Sequence, residues 1–156
     1  VRSITQAICI VLVFIATGCS LTPLDVSDQS RRFPERVPPV QRYQFVTPAL
    51  STTTGLAFGP AVENEIRNVM GPAIAPDARH ALYITDLDVK DRKHKDRLII
   101  SILMKVHVQD EPGSETRPRF RVDVDIEVAF ERDADLKKAR EAAIKIAARA
   151  LAKQLP

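Results

Sequence analysis

Three groups of residues carry the candidate chemistry of this chain. Cys19 closes an apolar N-terminal segment and holds a thiol that can form a thioether. Asp123, Asp125 and Glu127 alternate with apolar residues. On a strand they would project from one face about 7 Å apart, a spacing at which two carboxylates can share acid–base work. His80, His94 and His107 are the three histidines, and no helical or strand spacing brings two of them together as metal ligands. No nucleophile or oxyanion motif accompanies the acidic row, and the chain has no Walker loop, nucleotide-binding glycine pattern or nucleophile elbow. The expectation is therefore a protein that is not an enzyme and holds no metal. The acidic row then serves to pair with Arg119, Arg121 or Lys105 on neighbouring strands, or to dock on a basic surface.

The segment that ends at Cys19 reads VRSITQAICIVLVFIATGC. It has a short polar start with Arg2, an apolar run from Ala7 to Ala16, and the small residues Thr17 and Gly18. That is the three-part plan of an export signal. A helix needs roughly twenty apolar residues to cross a bilayer, and this run is about half that length. Ala16-Thr17-Gly18-Cys19 resembles the lipobox of bacterial lipoproteins, with alanine where leucine is commoner. The resemblance implies cleavage before Cys19, diacylglycerol on its sulfur, and no cofactor other than that covalent lipid. Ser20, where inner-membrane lipoproteins often carry aspartate, implies the outer membrane by the same resemblance. Two other readings stand beside this one: an uncleaved anchor over residues 4–24, and a secreted protein without lipid.

The rest of the chain must position whatever Cys19 anchors. Cys9 and Cys19 are the only cysteines, so no disulfide or thiolate site is available beyond residue 19. The 23 basic and 20 acidic residues are interspersed, without the basic stripe expected of a nucleic-acid binder. Residues 20–41 contain four prolines and no helical period, which reads as a tether reaching a few tens of ångströms from the membrane. The expected division is a signal over 1–18, lipidated cysteine and tether over 19–41, and a periplasmic domain over 42–156.

Within that domain the apolar periodicity predicts β-α-β-β-β-α. RYQFVT puts Tyr43 and Phe45 on one side of a first strand, which LSTTTGLAFG extends or turns into a hairpin. Pro60 suits a first helical position ahead of Val62, Ile66, Val69 and Met70. ALYITDLDVK alternates imperfectly, DRKHKD reads as a charged turn, and RLIISILMKVHVQ and RFRVDVDIEVAF each carry an unbroken apolar face. ADLKKAREAAIKIAARALAKQL is a helix with a seam of small residues. The fold class expected is α+β: a two-layer sandwich with an antiparallel sheet of three to four strands and two helices on one face.

Over residues 43–155 this architecture resembles small accessory lipoproteins of bacterial envelope machines, such as those of lipid transport or lipopolysaccharide assembly. The resemblance is in architecture and rests on no motif. It implies a non-catalytic subunit tethered to the membrane by lipid, with a protein partner in the envelope. Tyr43, at a strand edge, and Arg121, Asp123, Asp125 and Glu127, on the charged face, are then the partner-binding candidates. The alternative is a periplasmic carrier whose apolar face and LSTTTGLAF stretch enclose a lipid or other hydrophobic ligand.

Overall fold

The computed structural model describes residues 21–46, 50, 52–113 and 118–156; Cys19 lies outside them. Strands β1 (Asp25–Asp28), β2 (Arg31–Phe33) and β3 (Tyr43–Val46) precede helix α1 (Thr53–Met70). A 3-10 turn (Gly71–Ala73) leads to β4 (His80–His94), β5 (Arg97–Gln109), β6 (Phe120–Glu131) and helix α2 (Leu136–Gln154). The six strands form one sheet in the order β1-β6-β5-β4-β3, with β2 also on β6. Both helices cover the same face: α1 lies against β4, and α2 against β5 and β6. The α+β sandwich is as expected, but the sheet is larger than predicted and mixed.

The long central strands follow from alternation. Leu98, Ile100, Ile102, Met104, Val106 and Val108 of β5 are buried, as are Phe120, Val122, Val124, Ile126, Val128 and Phe130 of β6. β4 alternates imperfectly because a bulge at Thr85 shifts its register between Ile84 and Asp86. The extra residue returns Leu87 and Val89 to the face already occupied by Leu82 and Ile84, and all four are buried. DRKHKD is mostly strand: β4 runs on to His94, and only Lys95 and Asp96 make the turn. Lys95 takes a positive φ of 54° there.

Three expectations need correction. The expected antiparallel sheet contains one parallel pair, β3 with β4. α1 lies between these strands, and a helical crossover brings the chain back to run in the same direction. LSTTTGLAFG is neither strand nor hairpin, since its described part from Thr53 onward begins α1. Thr52 caps that helix, its Oγ1 accepting from the Gly55 N–H at 3.0 Å. A Cβ on residue 55 would run into the Leu50 side chain, so the close approach requires glycine. Pro60 therefore sits inside the helix rather than at its start.

The third correction concerns the tether. Asp28 faces Ile126 and Arg31 faces Asp123 in one common register, so β1 and β2 are a single edge strand interrupted at Gln29 and Ser30. Ser30 Oγ fills the gap by accepting from the Asp125 N–H at 3.2 Å. The following residues are tied to the chain's other end. Arg32 donates to the Gln154 carbonyl at 2.6 Å, and the Val40 N–H donates to the Pro156 carbonyl at 3.3 Å. The folded body thus begins well before residue 42.

α2 closes the sandwich with small residues. Ala139, Ala143, Ala147, Ala150 and Leu151 are buried as expected, together with Ile144 and Ala148, while Leu136 at the first turn is partly exposed. Small side chains let the helix axis lie close to the sheet. Asp135 caps its start, accepting from the Lys138 N–H at 2.9 Å.

Candidate functional site

The face of the sheet away from the helices gathers four of the five partner-binding candidates in the described part of the chain. β6 projects Arg121, Asp123, Asp125 and Glu127 there, opposite His107, Lys105, Leu103 and Ser101 of β5. Glu127 accepts from Ser101 Oγ at 3.4 Å and pairs with Arg92 of β4 at 3.2 Å. That bond crosses β5 and ties three strands together. Arg121 Nε lies 2.9 Å from Asp123 Oδ1, yet both atoms are buried without an aligned hydrogen bond. Lys105 lies opposite Asp123 in the register but approaches Asp86, at 3.9 Å. Arg119 is committed elsewhere, to Asp110 at 2.9 Å. Of the cations expected to serve the acidic row, Arg121 does so, and Arg92 joins it because the supposed turn is strand.

The row is a set of separate pairs rather than a carboxylate site. Asp125 is exposed, and among the described residues no ion pair engages it. Among those residues no three His, Cys, Asp or Glu are grouped to hold a metal ion. His107 sits beside Arg121; burial, then Arg121, pull its pKa below 6.5 against a smaller upward pull from Asp123, and Lys105 adds a lesser downward one. His80 lies on the other side of the sheet edge, with Nε2 3.4 Å from Asp110. The hydrogen bond from Arg119 holds the Asp110 carboxyl below its ordinary range.

Tyr43 is not at the surface. It is 2% exposed in the core, burial pushes its phenol up to about 12, and its hydroxyl donates to the Pro156 carbonyl at 3.4 Å. Its aromatic ring belongs to the face that α1 and the C-terminus cover, and Ile74 bridges to the same residue on the strand's outer side. The free edge lies at the opposite end of the sheet, on β1 and β2. All four β1 residues are exposed, and the strand shows Leu24 (50%), Val26 (42%) and Phe33 (42%) to solvent. Phe33 also stacks under the Arg121 guanidinium, 4.9 Å from its ring centre. Sequence reading missed this edge because prolines and charges dominate residues 20–41. Leu24 and Val26, alternating with Asp25 and Ser27, were the one signal available, and Asp28 breaks it.

The fold and its site define an α+β sandwich with one covered face, one charged face and one open apolar edge. The chain matches no protein-family model, and no curated protein is similar to it in sequence. Among solved structures it is similar to a minor lipoprotein from Acinetobacter baumannii. There the identity is 11% and the TM-score 0.49, over 76% of this chain and 92% of that one. It is also similar to PelC from Paraburkholderia phytofirmans, crystallised as a dodecamer. That match has 14% identity and a TM-score of 0.47, over 83% of this chain and 100% of that one. Among the described residues, no helix is long and apolar enough to cross a membrane.

Proposed function

We propose that the chain is a lipoprotein of the outer membrane, anchored through Cys19, whose periplasmic domain is a non-catalytic docking subunit of an envelope transport or assembly complex. The observation that carries the docking role is the open edge. Among the described residues this strand pairs with β6 alone, and with three exposed apolar side chains it offers both halves of strand addition. The Asp25 and Asp28 carboxylates accept from the Val26 and Ser30 N–H groups, and a partner's carbonyls would take their place. The charged sheet face beside it, with Asp125 free of ion pairs among the described residues, adds specificity. The anchor reading rests on the apolar run and the lipobox-like residues before Cys19.

The carrier reading loses support because α1 and α2 fill the apolar face where a ligand would lie, with Leu82, Ile100, Ile102 and Met104 fully buried beneath them.

Lipid labelling with a Cys19→Ser control, followed by separation of inner and outer membranes, tests the anchor. Label retained in the substituted protein would sink it. A photo-crosslinking residue at Val26 tests the docking role: a discrete envelope protein is expected to be trapped there and not from Lys153 on α2.

A further inference from the structure

The first described residues do not trail away from the body. Leu21, Thr22 and Pro23 lie over the outer face of α2 and form one wall of an open groove of about 520 Å³. Leu21, Ala142 and Ile146 give it an apolar floor. Lys138, Lys145 and Arg149 stand around it at helical spacing. Glu65 of α1 and Glu141 are the carboxylates at its rim, so the groove keeps a net positive charge. Among the described residues, none of these three cations is held in an ion pair. α2 adds Lys137 and Lys153, whereas its Arg140 is occupied by Asp91 and lies over the Phe58 ring.

Cys19 precedes Leu21 by two residues, which span at most about 7 Å. A lipid on Cys19 would therefore hold the groove within about one Debye length of the bilayer surface at physiological salt. At that distance unpaired cations around an apolar floor fit anionic phospholipid: the ammonium and guanidinium groups meet phosphates while Leu21 and Ile146 face the glycerol boundary. Resting on the reading that Cys19 is lipidated, we infer that the outer face of α2 with residues 21–23 is the membrane-contacting surface, seated on anionic phospholipid headgroups. The domain then stands on its helix layer, and the charged sheet face points away from the bilayer. Its orientation is set by the fold, not by a long tether.

The test uses the full chain, purified with its native processing and reconstituted into phosphatidylcholine vesicles with or without phosphatidylglycerol. An environment-sensitive fluorophore is placed at Ala142→Cys or, as the control, at Asp125→Cys, and quenching by headgroup nitroxides is read at each. Stronger quenching at position 142, by about fivefold for one net charge near an anionic surface, is expected when phosphatidylglycerol is present. The ratio is expected to approach one with Lys138→Glu, Lys145→Glu and Arg149→Glu combined, and to be intermediate with glutamine at the same positions. Equal quenching at both positions, or a ratio indifferent to phosphatidylglycerol and to both sets of substitutions, overturns the inference. Intact mass before reconstitution separates the two claims. A chain of unlipidated mass defeats the anchor reading, whereas a lipidated chain with equal quenching defeats only the orientation.

Discussion

The two outer faces of the sandwich carry similar numbers of cations in opposite arrangements. On the sheet face, Arg92 meets Glu127, Arg121 meets Asp123, Lys90 meets Asp88 and Lys105 approaches Asp86. On the exposed side of α2, Lys137, Lys138, Lys145, Arg149 and Lys153 enter no ion pair among the described residues. The contrast has a structural cause. Register brings a cation on one strand within reach of a carboxylate on the next, whereas the outward side of α2 sets its cations beside Glu141 alone, with Glu65 of α1 across the groove. A paired face is chemically quiet until a partner competes for it, and an unpaired cationic face is already complementary to an anionic surface.

The sharpest way to break the contrast is to remove the core shared by the two layers. Phe130 is fully buried between sheet and helices, and Phe130→Ala is expected to cost about 3–5 kcal/mol in urea unfolding. Next in size is Ala147→Leu. It adds bulk to a fully packed contact between α2 and the sheet and is expected to cost about 1–3 kcal/mol by lifting the helix. A smaller cost there would mean that the helix layer can move independently of the sheet.

The charges themselves should separate the faces at a finer scale. Arg92→Ala and Glu127→Ala are expected to lose up to about 1 kcal/mol each and to couple in a double-mutant cycle, since their bond is exposed but spans three strands. Lys145→Ala should stay within about 0.5 kcal/mol, because it breaks no pair. Equal losses would erase the distinction between the faces.

The smallest expected effect is the pH dependence of His107. Its folded pKa lies below 6.5, so the unfolded chain binds the proton more readily just under that value. Stability is full above the unfolded pKa and declines as pH falls through the folded one. His107→Gln should flatten that part of a stability–pH curve, and a curve unchanged by the substitution would mean that burial and Arg121 do not disfavour its charge.

Much of the fold was legible where local pattern and burial agree. β5, β6 and α2 follow their periodicities closely, and even the flaw in β4 was visible as broken alternation, although only the structure shows it to be a bulge. The candidate site was legible in part. The side from which Arg121, Asp123, Asp125 and Glu127 project could be read from alternation, but their partners could not. Arg92 joined them only because β4 runs through a stretch that looked like a turn. Tyr43 showed the converse failure: an amphipathic ring at a strand end looks the same in sequence whether its edge is open or covered.

By itself the sequence determined the apolar faces of the central strands and the small-residue seam of α2, because these depend on residue type and short-range spacing. Only the tertiary structure decided that residues 25–33 join the sheet, that β3 runs parallel to β4, and that the chain enters over the cationic side of α2. An edge strand has one neighbour, here about a hundred residues away, and its exposed faces demand no alternation. Its place is set by the hydrogen-bonding groups of β6, which nothing within its own segment reveals.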